Sequence, residues 1–235
     1  MNTSEKKPAS GLLIRVVSGL ILAPVTVALI VAGGWYFTTL VALGALIAVS
    51  ECTHLAKKLP NSYLFMVAGV GYTILAAVSY VFLRFGFEQG AWLALVVMLC
   101  VWSSDIGAYF IGKAIGGPKL APVISPNKTW AGFAGAMFSS GLAIIILAGI
   151  SPYLDRWIFT DLNLKSSHVA GLFVIGAVLG AVGQAGDLMI SFFKRKAGVK
   201  DTGVLIPGHG GLLDRIDSLM LVCPVFVVIV LLWLS

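Results

Sequence analysis

Charge is scarce in this sequence. It carries 16 Lys and Arg and 10 Asp and Glu in 235 residues, 11% of the chain, against about 25% in an ordinary globular domain. So few charges cannot cover the surface of a soluble protein of this length. A soluble domain, a disordered chain and a nucleic-acid binder are therefore excluded. Cysteine is scarce too: Cys52, Cys100 and Cys223 stand far apart, with no CxxC and no Cys/His ligand spacing. Neither a disulfide framework nor a zinc site is indicated. No convincing small-residue cleavage site follows the first apolar run, which reads as an uncleaved first membrane helix. Internal repeats and low-complexity segments are missing as well, so an inverted-repeat transporter gains no support.

What the chain does have is apolar length. Hydrophobic residues make up 59% of it and the mean hydropathy is +0.99. The bilayer is the solvent that suits this composition. Candidate spans fall at 12–32, 35–50, 63–83, 91–111, 129–150, 169–190 and 217–234. The expected fold is all-α: a polytopic membrane helical bundle of about seven spans, in one membrane domain over residues 1–235. Re-entrant pieces would raise the count to eight or nine.

The charges test that map. With the N-terminus inside, Lys6, Lys7, Arg15, Lys57, Lys58, Lys113, Lys119, Lys128, Lys194, Arg195, Lys196, Lys200 and Arg215 fall on the cytoplasmic side, and only Arg84, Arg156 and Lys165 fall outside. Lys and Arg accumulate in cytoplasmic loops, so this division supports the map and accounts for much of the net charge of +6. The inside stretches 112–128 and 191–216 are long, basic and rich in Gly and Pro, and read as cytoplasmic active-site loops.

Four acids sit near the cytoplasmic ends of expected helices: Asp105, Asp187, Asp214 and Asp217. Carboxylates at such depths cost several kcal/mol unless paired or hydrated, which makes them functional candidates. Asp214 and Asp217 are three residues apart and share a helix face. Like charges that close repel unless a cation lies between them, and magnesium binds through one or two carboxylates plus phosphate and water oxygens. His209 stands among Gly208, Gly210 and Gly211, in a turn whose backbone amides can approach an anion. Lys194, Arg195, Lys196 and Lys200 form a basic run suited to anionic lipid headgroups. Ser125 or Thr129 can cap the fifth span, and with Lys128 the same helix start can hold phosphate. Glu51 adjoins the cytoplasmic side and remains a weaker candidate.

The stretch Ser191 to Ser218, SFFKRKAGVKDTGVLIPGHGGLLDRIDS, resembles the signature of phosphatidate cytidylyltransferases, the CDP-diacylglycerol synthases. Its elements are Ser191, Lys194-Arg195, Lys200-Asp201, Pro207, His209-Gly210-Gly211 and Asp214-Arg215-x-Asp217. SSDIGAYFIGK with Asp105 and Tyr109, SPNKTWAG, and GQAGDLMIS with Asp187 are similar to the family too. The likeness covers about the C-terminal 60% of the chain. Two positions depart from it: Ala131 and Ile190 stand where the family often has Glu.

The resemblance implies that CTP and phosphatidate give CDP-diacylglycerol and pyrophosphate at the cytoplasmic face of a bacterial inner membrane. It implies Mg2+ on Asp187, Asp214 and Asp217, with room for a second cation. Asp105 becomes a fourth acid or a nucleotide contact. Ser125, Lys128 and Thr129 would hold CTP phosphates, with Gly210 and Gly211 beside them. Lys194, Arg195, Lys200 and Arg215 would neutralise phosphate charge; Asp201 would orient Lys200, and His209 would donate to a phosphate oxygen or shape the turn. Expected partners are CTP, phosphatidate and membrane lipids, with a homodimer as one assembly the chain could form. Other readings are a CTP-dependent transferase acting on an isoprenoid lipid, and a transporter using the intramembrane acids. Transport would need acids near the midplane, whereas these cluster at one face.

Overall fold

The structure, a computed structural model, describes residues 9–88, 90–150, 166–203, 205 and 210–234. Among the described residues the chain forms helices α1 (Ala9–Ala32), α2 (Gly34–Ala56), α3 (Ser62–Phe85), α4 (Gly90–Ile115), α5 (Trp130–Ile150), α6 (Ser166–Lys196) and α7 (Leu213–Leu234). Six of them, α2 to α7, are long and apolar enough to cross a bilayer, and α1 contributes a shorter apolar stretch, Val17–Ala32. The protein is an integral membrane helical bundle. Many large apolar side chains face outward, including Leu20, Trp35, Leu46, Phe110 and Leu232. Hydrocarbon, rather than water, is the solvent for such a surface.

One feature departs from an all-helical fold. Strands β1 (Lys119–Ala121) and β2 (Ser125–Thr129) pair antiparallel between α4 and α5, with Lys119 opposite Thr129 and Ala121 opposite Ser125. Gly116 and Gly117 leave α4 with φ of 67° and 90°, the left-handed region that glycine enters without a Cβ penalty. Trp130 N–H donates to the Pro118 carbonyl (3.1 Å) and closes the hairpin at the start of α5. A two-stranded hairpin is marginal alone; this one rests on the ends of α4 and α5.

The helices also run beyond the expected spans. α2 continues to Ala56, α4 to Ile115 and α6 to Lys196, while α7 starts at Leu213. Lys113 and the run Lys194, Arg195 and Lys196 lie in the last turns of α4 and α6, where positive charge complements the helix dipole. Lys194, Arg195, Asp214 and Arg215 are thus helical residues.

Without a hydrophobic drive between helices in lipid, close packing depends on small residues. Gly107 of α4 meets Gly135 and Ser139 of α5, and Gly180 of α6 meets Ala136 and Ser140 of α5. Gly186 of α6 lies against the α7 backbone, where an added Cβ would come within 2.7 Å of the Asp217 carbonyl. Ser139 Oγ donates to the Ser103 carbonyl at 2.7 Å, fastening α5 to α4. At the opposite end of the bundle, Arg84 Nε of α3 donates to the Ile30 carbonyl at 2.9 Å and satisfies a free acceptor at the end of α1. The contacts among α4, α5, α6 and α7 bring the ends of α4 and α6 together with the starts of α5 and α7, and Glu51 joins the end of α2 to the start of α7.

Candidate active site

Lys128, at the end of β2, reaches α6. Its Nζ lies 2.5 Å from Asp187 Oδ2 and donates to Gln184 Oε1 at 2.8 Å. Gln184 is 2% exposed; its Nε2 donates to Asp105 Oδ1 at 3.3 Å and to Ser104 Oγ at 3.4 Å. Ser191 Oγ, one turn on from Asp187, donates to Asp187 Oδ1 at 3.1 Å. Asp217 of α7 comes within hydrogen-bonding reach of Asp187. Asp105, Asp187 and Asp217 therefore form one acidic group drawn from three helices, in electrostatic reach of one another, with Lys128 acting on Asp105 and Asp187 and Lys194 on Asp217.

Asp214 belongs to a different cluster. Its Oδ1 accepts from Lys194 Nζ at 2.7 Å. Its Oδ2 accepts from Thr202 N–H at 2.9 Å, Thr202 Oγ1 at 3.1 Å and Gly211 N–H at 3.2 Å. Both oxygens are occupied by protein donors. The Gly211 amide, expected to face a phosphate, is turned to this carboxylate. Gly210 has φ of 84°, and Gly211 has no room for a Cβ beside Thr202 Oγ1 and Glu51 Oε2. His209, Pro207 and Gly208 lie outside the described residues.

The other candidates fall around these two clusters. Thr129 Oγ1 accepts from Gly132 N–H at 3.1 Å and caps α5, the position that suits a threonine oxygen. Ser125 opens β2 and is half-buried. Arg195 donates from Nε to the Ile124 carbonyl at 3.2 Å, tying the hairpin to the end of α6. Lys200 and Asp201 are exposed on the turn that follows. Arg215 is exposed at the start of α7, in electrostatic reach of Asp105.

Two cavities adjoin α4. A polar one of about 630 Å3 is lined by Asp105, Lys113, Lys119, Asn127, Lys128 and Asp187, among others. An apolar one of about 420 Å3 opens among α1, α2, α3, α4 and α7, with Trp102 and Arg215 in its wall. Trp102 lines the apolar cavity and Asp105 the polar one, one turn apart on α4. Lys113, Lys119 and Gln184 were not legible as site residues. The two lysines read as topology charges, and a single Gln inside an apolar helix gives no pattern.

The donor set can be tested against magnesium. Among the described residues no three His, Cys, Asp or Glu are grouped so as to hold a metal by themselves. Two carboxyl groups as close as Asp187 and Asp217 require a proton or a cation between them. Magnesium held by two carboxylates, with substrate phosphates and waters in its other positions, fits that arrangement. Asp214, with four protein donors, fits it less well.

The fold and site thus define a membrane-embedded protein with an acidic centre, a lysine-lined cavity that two of its acids enter, and a separate apolar cavity. The model of the cytidylyltransferase family matches residues 61–233, and the chain belongs to that family. It is 35% identical over 223 residues to the phosphatidate cytidylyltransferase of Rickettsia bellii (strain RML369-C), covering 94% of this chain and 92% of that one. Against the enzyme of the same name from Staphylococcus aureus (strain COL) it is 42% identical over 202 residues, 82% of this chain and 70% of the other.

Proposed function

We infer that the chain transfers the cytidylyl group of CTP to phosphatidate, giving CDP-diacylglycerol and pyrophosphate. The observation that carries this is a lysine-lined polar cavity with Asp105 in its wall and an apolar cavity with Arg215 in its wall, their linings one turn apart on α4 at Asp105 and Trp102. One cavity suits a triphosphate: Lys113, Lys119 and Lys128 supply three positive charges. The other suits an acyl chain, with a guanidinium in its wall to meet the lipid phosphate.

A phosphate oxygen of phosphatidate attacks the α-phosphorus of CTP. A new P–O bond forms, the bond between the α-phosphorus and its bridging oxygen breaks, and pyrophosphate leaves with that electron pair. The attacking oxygen is already anionic, so no protein nucleophile is needed. Positioning and charge stabilisation carry phosphoryl transfer of this kind. Lys128 contacts the triphosphate while Asp187 and Gln184 hold its side chain in place. Arg215 orients the lipid phosphate. Asp187 and Asp217 would hold Mg2+, which when bound would draw charge from the phosphate oxygens. Asp214 and Lys194 hold the start of α7.

The supporting arguments for topology are the charge bias and the shared end of the bundle that carries the site. On that basis α1 completes seven spans, the N-terminus and the site face the cytoplasm, and the membrane is the bacterial inner one. Competition between phosphatidate and a phosphorylated isoprenoid tests the substrate reading. Purified protein with labelled CTP and Mg2+ should label the diacyl lipid and ignore the isoprenoid. Preferential labelling of the isoprenoid would refute it.

A further inference from the structure

Glu51 lies outside the acidic centre and ahead of residue 61, where the match to the family begins. It is 8% exposed near the end of α2, and its carboxylate is taken up by the far end of the sequence. Oε1 accepts from Leu212 N–H at 3.0 Å. Oε2 accepts from Leu213 N–H at 2.8 Å and from Thr202 Oγ1 at 2.8 Å.

The amides of Leu212 and Leu213 open α7. The first amides of a helix have no acceptor within it, and a negative charge there is favoured by the dipole. A side-chain oxygen just ahead of the helix would normally serve, but Leu212 has none. Glu51 fills that role from another helix, 161 residues away in sequence. The surrounding chain is shaped for it. A Cβ on Gly203 would lie 2.7 Å from Glu51 Oε1, and one on Gly211 would lie 2.5 Å from Oε2.

The contact continues into the site. The Thr202 hydroxyl stands between Glu51 and Asp214, its single proton shared by the two carboxylates. Asp214 in turn holds Lys194 of α6. One turn beyond Leu213, the same helix presents Asp217 to Asp187. The angle and height at which α7 leaves the 197–212 segment are therefore set from α2, and with them the separation of the two carboxyls.

We propose that Glu51 is a positioning residue for the transfer reaction: held on α2, it clamps the first turn of α7 and so fixes Asp217 against Asp187 without touching either substrate. This rests on the reading of the acidic centre given above. A misplacement of about 1 Å at a reacting centre can cost on the order of a hundredfold in rate.

The test combines hydrogen exchange with kinetics on the full chain in lipid nanodiscs. Glu51→Ala removes both acceptors; Glu51→Gln keeps the volume and one carbonyl oxygen. In both variants exchange at the Leu212 and Leu213 amides should rise. The kcat per folded protein should fall about a hundredfold for Glu51→Ala and less for Glu51→Gln, while KM for CTP stays near the parent value. If Glu51→Ala does not fold, Glu51→Gln carries the test alone. Faster exchange with kcat per folded protein unchanged would overturn the proposal, leaving Glu51 a structural residue only. Unchanged exchange would overturn the clamp itself. A parent protein that forms no CDP-lipid would overturn the proposed function instead, and the exchange data would still report whether Glu51 holds α7.

Discussion

Asp214 and Asp217 stand three residues apart in the first turns of α7, yet their partners differ. Spacing alone makes them equivalent, and the sequence reading treats them as a pair of metal ligands. The difference comes from Lys194 on α6 and from Thr202 and Gly211 in the segment before α7, donors that reach Asp214 only once the chain is packed. The two residues should therefore respond differently to Asn. Asp214→Asn leaves the Lys194 ammonium poorly paired at a site where both partners are largely buried; breaking such a pair costs about 3–5 kcal/mol. A clearly lowered melting temperature in detergent is expected, and an unchanged one would contradict a structural role for the Lys194–Asp214 pair. Asp217→Asn should melt like the parent but lose most turnover, with partial recovery in excess Mg2+ or Mn2+. Full activity at limiting Mg2+ would remove Asp217 from the metal site. Lys128→Ala should raise KM for CTP by the equivalent of about 1.5–3 kcal/mol, the scale of one charged hydrogen bond. Unchanged CTP kinetics would reduce Lys128 to a partner of Asp187.

At the scale of elements, the helices were legible because runs of about 20 apolar residues have few alternatives in a membrane. Their ends were not, because polar and basic residues continue the helices past the apolar limit: Glu51 and His54 in α2, Lys194 to Lys196 in α6. The β1–β2 hairpin was hidden for a different reason. SPNKT contains proline and no apolar alternation, so pairing there depends on the glycine exit from α4 and on support from α5. How closely the helices approach also lies beyond pattern reading, since a glycine in an apolar run looks the same wherever it points. Gly186 and Gly183 make the point testable. A methyl on Gly186 meets the Asp217 carbonyl at 2.7 Å, whereas one on Gly183 makes ordinary contacts with Val222 at 3.5 Å and Ser218 at 3.6 Å. Overpacking typically costs about 1–3 kcal/mol. Gly186→Ala should therefore lower kcat about tenfold or more by moving α7 from α6, with Gly183→Ala near the parent value. Equal activity in the two variants would show that the α6–α7 approach does not set the rate.

For the whole molecule, the claim is that one face of the bundle receives a water-soluble triphosphate while the interior receives a lipid. The division of basic residues supports the cytoplasmic face for the triphosphate; the two cavities, formed by residues from seven helices and a hairpin, could not be seen in a linear pattern. Topology can be read directly, because Cys52, Cys100 and Cys223 are buried and contribute little labelling background. Val123→Cys in the hairpin turn and Leu205→Cys within the signature stretch, both exposed, should react with an impermeant maleimide only from the cytoplasmic side. Reaction from opposite sides would divide the site and end the account. The central claim itself is cytidylyl transfer, and position-specific label in CTP addresses it most directly. Purified protein in phosphatidate-containing nanodiscs with Mg2+ should move 32P from the α-position of CTP into the lipid and from the γ-position into pyrophosphate, with neither transfer after Mg2+ is chelated. Label from the γ-position appearing in the lipid would mean a kinase, and would contradict the mechanism derived from this site.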